Sequence, residues 1–297
     1  MPDHISMCTN FLGLVDTFEN TIMNPNNTIM LELDRYKITI KQDKNVVRNQ
    51  PRYFQDRTAI TSKVIVQGVT ASAVQNANRI RDRILELLSF ISMSYVIPSI
   101  VQFPPGTNID SNVPRGYACY YKPVIEIRDA KIVKDFIEQV WTKYNKIYRR
   151  RKLHEVMEYL AISDFPHQPI ESKLVLVIVA LEFLKTTYAH SSGIPFISGS
   201  FRKVSTPPKA NIKREPKYSF EDLLTKMLMD AGMPKGIKRI IRLRNELFHA
   251  GLTNICRESK MKRYNRIHDI IREYLLRIME YKGNYISYSD PDSFKHI

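Results

Sequence analysis

The sequence predicts an α+β protein: a small N-terminal domain of mixed strands and helix over residues 1–130, followed by an all-helical bundle over residues 131–297. Three observations predict it. Early stretches alternate apolar with polar residues, as half-buried strands do. After Asp129 that alternation gives way to apolar positions recurring every three or four residues, the helical period. Charge divides along the same line: residues 1–130 carry 14 Lys and Arg against 12 Asp and Glu, and residues 131–297 carry 31 against 18. The formal charge of +15 therefore belongs almost wholly to the second part, where a one-sided basic field favours a polyanionic partner such as nucleic acid.

From Thr28 to Lys41 the positions Ile29, Leu31, Leu33, Ile38 and Ile40 alternate with polar residues, as does Lys63 to Gln67; both stretches read as strands. Between Ala71 and Ser94 the spacing of Val74, Ile80, Ile84, Leu87, Leu88 and Ile91 is helical. Strand-like pieces, Tyr95 to Phe103 and Tyr117 to Ile127, flank a loop from Pro104 to Pro114. Residues 131–160 repeat Ile132, Phe136, Val140, Ile147, Leu153, Val156 and Leu160, giving one long helix or two abutting ones. A further helix runs from about Pro169 to Tyr188, with proline at its start and acidic Glu171 in its first turn, as the helix dipole prefers. Its apolar run, Leu174 to Leu181, is far short of the roughly 20 residues a bilayer span needs, so it reads as a buried core helix. Residues 191–217 hold four prolines, two glycines and six Lys or Arg, and read as a flexible basic loop. Ser219 and Asp222 give a weak N-cap signature before a helix at 220–230. The next helix occupies about 236–249, with Gly251 as a C-cap, and the last, about 259–281, uses Tyr264, Ile267, Ile271, Tyr274, Leu275 and Ile278 before stopping at Gly283.

Cys8, Cys119 and Cys256 are odd in number and far apart, which excludes a CxxC metal pair and a disulfide framework and fits a reducing cytoplasm. An apolar leader is broken by Asp3, Asp16 and Glu19, so neither export nor a membrane is expected. No phosphate-cradling Gly-x-x-x-x-Gly-Lys-Ser/Thr, dinucleotide-binding Gly-x-Gly-x-x-Gly or His-Glu-x-x-His motif is present, and no histidine shows metal-ligand spacing. Neither cofactor nor metal is implied.

What remains is arginine and histidine. Arg holds phosphate and His moves protons near neutral pH, the two tasks that cutting RNA without a metal requires. Arg-x-x-x-x-His occurs three times, as Arg149 to His154, Arg244 to His249 and Arg263 to His268, so spacing alone does not choose. Context favours the second. In the helix 236–249, Ile237, Ile240, Leu243 and Leu247 form the core stripe, while Lys238, Arg242, Asn245 and His249 make a polar ridge at intervals of four, three and four. Five residues advance a helix by about 140°, so Arg244 and His249 leave it on different faces; the length of the Arg side chain or a second copy of the helix must close the gap. The run Arg149, Arg150, Arg151, Lys152, behind Tyr144 and Tyr148, reads as a solvated face or as a phosphate-tracking strip with stacking partners. His268 reads as a surface residue, and His4, His167, His190 and His296 as terminal or loop-edge residues without partners.

The motif Arg244-Asn245-Glu-Leu-Phe-His249-Ala-Gly, with Glu171-Ser-Lys-Leu, Ala180-Leu-Glu182-Phe-Leu and the closing Glu280-Tyr-Lys-Gly283-Asn-Tyr, resembles the HEPN (higher eukaryotes and prokaryotes nucleotide-binding) domain over about residues 131–285. It is most similar to the ApeA-like branch of prokaryotic anti-phage proteins. The resemblance implies a metal-independent endoribonuclease of defence or stress, acting as a homodimer with a composite cleft. His249 would be general base or acid, Arg244 would stabilise the phosphorane, and Asn245 would orient His249 or a phosphate oxygen. Lys238, Arg242, Arg149, Arg150, Arg151, Lys213 and Arg214 would bind RNA, and residues 1–130 would sense a phage-derived trigger or a nucleotide. The alternative it equally allows is a non-catalytic nucleotide- or RNA-binding module that dimerises; a structural helical adaptor with an incidental basic surface is the third reading.

Overall fold

The fold is that of a computed structural model, which describes residues 4–9, 28–43, 60–102, 122–165, 168–203, 215–233, 238–250 and 255–297. It is α+β, with strands gathered early in the chain and helices later. The chain forms two compact units: Met1–Thr142, Asp164–His167 and Tyr281–Ile297 in one, Lys143–Ser163 and Gln168–Glu280 in the other.

The first unit is built on an antiparallel sheet of strands β1 (His4–Thr9), β2 (Thr28–Leu33), β3 (Tyr36–Gln42), β4 (Ile60–Val66) and β5 (Pro98–Gln102), ordered β2-β3-β4-β1-β5. Alternation fixes the register. Ile29, Leu31 and Leu33 face inward beside Ile38 and Ile40, and Val64 and Val66 complete the buried face, while Met30 points outward. The β2–β3 hairpin turns through Asp34 and Arg35, both with positive φ (47° and 66°). This is the primed geometry whose twist suits a two-residue connection. Helix α1 (Val74–Ser92) packs on the sheet against β1 and β4 through Ala77, Ile80, Ile84, Leu87, Leu88 and Ile91.

The strand expected over Tyr117 to Ile127 is not one where it is described. Residues 122–127 form an irregular strap, Val124 donating to the Ile91 carbonyl and accepting from Ile286. The strap is a single run that meets its partners one at a time, and buried Val124 and Ile125 give it an apolar pattern without a ladder. A second surprise lies at the other end of the chain. After Tyr281 the chain forms a small hairpin, β8 (Asn284–Ile286) with β9 (Phe294–His296), within this first unit.

The second unit is helical: the end of α2 (Ala130–Arg151), then α3 (Leu153–Ser163), α4 (Ile170–Ser191), α5 (Phe220–Asp230), α6 (Lys238–Ala250) and α7 (Arg257–Ile278). The division between units falls inside α2 rather than at residue 130. Of the two readings of 131–160, two abutting helices is the one formed, broken at Lys152, whose φ of 47° ends α2. Helix α4 is the hub, packed on α3, α5 and α7. By length and apolarity it could cross a membrane, but its Leu174, Val177, Ile178, Leu181 and Leu184 are core residues here. The described part of 191–217 is no flexible loop. Strands β6 (Phe196–Ile197) and β7 (Ser200–Phe201) form a hairpin on a Ser198–Gly199 turn with positive φ at both residues, and the bridge Arg202–Lys217 closes the excursion. Phe196, Phe201 and His190 pack ring against ring beneath it. Proline and glycine mark the turns of this hairpin, and the aromatic cluster supplies the order their composition hides. Lys209, Lys213 and Arg214 lie outside the described residues. Helix α5 starts on a full capping box, Ser219 with Asp222, stronger than its sequence signature suggested.

Candidate functional site

Helix α6 presents the motif. Ile240 and Leu243 are its buried row, and at about 100° per residue Arg244 falls to one side of that row and Glu246 to the other. The two flanks meet different helices.

On the first flank Arg244 reaches α4. Its Nε and Nη2 donate to Oε1 of Glu182 at 3.2 and 3.1 Å, and Nη1 donates to Asn245 Oδ1 at 3.1 Å. The other carboxylate oxygen of Glu182 takes Lys185. Phe220, the first residue of α5, lies under both cations, its ring centre 5.1 Å from the Arg244 guanidinium and 4.9 Å from Lys185. One carboxylate thus serves two cations on an aromatic platform, leaving a net positive charge in a seam where the Arg244 side chain keeps 28% of its exposure.

On the second flank Glu246 joins α6 to α7: Oε1 accepts from Arg242 Nε at 2.8 Å and Oε2 from Arg263 Nη1 at 3.3 Å. Beside it opens a cleft of about 330 Å³, lined by Ile240 and by Ser259, Lys262, Arg263 and Arg266 of α7. The exposed Cys256 sulfur lies 3.3 Å from the Ser259 hydroxyl, and the hydrogen bonds that Ser259 offers to the thiolate draw that thiol below its ordinary pKa. A second cleft of about 350 Å³, lined by Glu221, Asp222, Thr225, Lys226, Met229 and Asp230, is mainly acidic. There the Tyr188 hydroxyl donates to Asp230, and burial, reinforced by that carboxylate, pushes the phenol up.

The residues expected to act divide as follows. Arg244 and Asn245 are brought together, Asn245 Oδ1 accepting from Arg244. The backbone of His249 stands in the last turn of α6, four residues on from Asn245 and three from Glu246; its side chain, like that of Lys238, lies outside what the structure describes. Arg242 is exposed and engaged by Glu246, and Arg149 and Arg150 are exposed at the end of α2.

Three expectations are corrected. Arg151 is not a surface cation: it is buried, donating to the Leu184 carbonyl (3.1 Å), the Tyr274 hydroxyl (2.7 Å) and Thr187 Oγ1 (3.4 Å). It continues the buried row of α2, seven residues on from Tyr144 and four from Ile147. Tyr144 is likewise buried and stacks on no base, packing edge-on to Tyr148. His268 is fully buried, its Nε2 2.9 Å from Ser163 Oγ and its ring against Tyr264; the inner face of the last helix takes Arg272 into the core as well. Two histidines expected to lack partners also have them: His190 in its aromatic cluster and His296 beside Asn284 at 3.0 Å. His154 is exposed near Glu158.

Glu182, Lys185 and Phe220 were not singled out by their chemistry. The available signal was a carboxylate following the apolar run Leu174 to Leu181, which must find a cation when that helix is buried. Lys262, Arg263 and Arg266 follow Ser259 at i+3, i+4 and i+7, which is one helical face. No protein-family model, curated protein or solved structure matches this chain.

Proposed function

We propose that this chain is a metal-independent endoribonuclease of the HEPN kind, working in the cytoplasm as a homodimer in anti-phage defence or stress. The observation that carries the reading is the ion pair of Arg244 with Glu182. It holds a guanidinium in a fixed orientation on a net-positive seam, as a group that stabilises a developing phosphorane must be held. In the proposed reaction the ribose 2′-hydroxyl gives its proton to a base, its oxygen bonds to phosphorus, and the 5′-oxygen leaves with a proton from an acid. Arg244 binds the extra negative charge at phosphorus, and His249 supplies the base or acid. Products end in 2′,3′-cyclic phosphate and 5′-hydroxyl. Arg244 and the row of His249 leave α6 on different sides, which favours a cleft built from two copies of α6. Sensing of a phage-derived trigger or nucleotide by residues 1–130 belongs to the same proposal and rests on the resemblance alone.

The same ion pair favours a second reading. A guanidinium satisfied by a carboxylate can be a fixed structural element, leaving a dimeric module that binds RNA and does not cut it. Incubating the purified protein with single-stranded RNA in EDTA separates the two. Cleavage to cyclic phosphate ends, lost in Arg244→Ala and His249→Ala, supports the nuclease. Binding without cleavage supports the module, and a strict requirement for a divalent metal rejects the proposed chemistry.

A further inference from the structure

We infer that the cleft between α6 and α7 is a subsite for the sugar–phosphate backbone of a single-stranded RNA, with Lys262, Arg263 and Arg266 as the cations and Ser259 as a hydroxyl donor. The identity of the strand rests on the ribonuclease reading; the anion chemistry of the cleft does not. Among the described residues its lining holds three cations, one hydroxyl and one aliphatic side chain, and no carboxylate. Its volume of about 330 Å³ is at the lower end of small-ligand clefts, roughly 300–1,000 Å³, but among the described residues its polar groups are three cations and a hydroxyl, and no aromatic side chain lines it. Cations and a hydroxyl without an aromatic platform suit phosphate and sugar rather than a stacked base.

The cations are also spread rather than convergent. Lys262 and Arg266 are one helical turn apart, about 6 Å along α7, and both are exposed, so they meet a strand at separate points. Arg263 is partly buried and aimed by Glu246, which gives the cleft one pre-positioned guanidinium. The carboxylate of Glu246 repels an anion at that end and directs it towards Lys262 and Arg266. Arg242, Glu246 and His249 follow one another at i, i+4 and i+7 on α6, so the carboxylate that aims Arg263 shares a flank of that helix with the motif histidine. With no aromatic side chain among its described lining, the subsite should be indifferent to base identity.

The test is the salt dependence of binding of a fluorescent all-2′-deoxy strand, which lacks the proposed nucleophile and so reports binding without cleavage. Full-length Lys262→Gln/Arg266→Gln should show a log–log slope shallower than wild type by about 1.4, two contacts at about 0.7 each. Lys262→Arg should keep the wild-type slope. Lys131→Gln/Lys282→Gln, which removes the same charge from exposed positions elsewhere, should leave the slope unchanged. A slope unaltered in the first double variant overturns the subsite even if the protein cuts RNA, and so does displacement of the strand by an equimolar mononucleotide. A slope change in a protein that never cuts RNA keeps the subsite and overturns only the nuclease reading.

Discussion

Arg151 and Arg244 both lie in the helical unit, yet their surroundings are of opposite kinds. At the α2–α3 corner Arg151 is buried among neutral groups, a carbonyl, a phenol and a threonine hydroxyl, with the rings of Tyr188 and Tyr274 about it. The burial that surrounds it also pushes the Tyr274 phenol up, against the pull of the Arg151 charge. At the α4–α6 seam Arg244 is partly exposed and answered by a carboxylate. The first cation is solvated by neutral dipoles of the bundle. The second is balanced by a charge that holds its orientation while leaving it within reach of solvent. Removal of the first should therefore be felt as lost stability, and removal of the second as lost chemistry.

The largest expected effect tests that division directly. Arg244→Ala should lower single-turnover RNA cleavage by about 10²–10³-fold, the scale for loss of one group that stabilises transition-state charge, with little change in thermal midpoint. Arg151→Ala should do the reverse. It takes away the Arg151 partner of the buried Tyr274 hydroxyl and one donor from the Leu184 carbonyl, a loss of roughly 1–3 kcal/mol, read by denaturant unfolding, while the folded fraction retains its cleavage rate. If Arg244→Ala lowers stability as much as Arg151→Ala does, the contrast between the two arginines fails.

How much of this could be read from the chain follows from what each signal depends on. The strands β2, β3 and β4 and the helices α1 to α7 were legible because their apolar period is local. The aromatic hairpin of β6 and β7 was not, since its order comes from Phe196 and Phe201 meeting His190, which lies outside the hairpin itself. Arg244 and Asn245 were legible through motif and ridge, but Glu182 was not identified as the partner, because the pair joins residues far apart in sequence. Arg151 and His268 were misread for one reason. Both sit in strongly cationic stretches, and charge density suggests solvent exposure even where one member falls on the helix's inner face.

A smaller effect sharpens the contrast at the surface. Arg149 and Arg150 adjoin Arg151 but are exposed, so Arg149→Gln/Arg150→Gln should leave stability intact. If the strip tracks a strand, it should flatten the salt dependence of binding by about 0.7 per contact. An unchanged slope assigns them to solubility alone.

The smallest expected effect concerns the other end of α4, where Glu171 accepts from Lys260 Nζ of α7 at 2.7 Å. This is again a cation answered by a carboxylate, but one tying two helices together away from the proposed chemistry. The Lys260 hydrogen bond, helped by the helix-start N–H, holds the Glu171 carboxyl below its ordinary value of 4.5. A carboxylate with a depressed folded value stabilises the protein above its unfolded value and loses that contribution as pH falls through the folded one. The pair should therefore contribute fully at pH 7 and fade below about pH 4.5. Being partly exposed, it is worth no more than about 1 kcal/mol, or about 2–4 °C of thermal midpoint in a domain of some 150–250 residues. Glu171→Gln should melt earlier than wild type at pH 7, the gap should close in acid, and cleavage of RNA should be unaffected. A gap that stays constant from pH 7 down to about pH 3 would show that Glu171 acts by packing and not by charge.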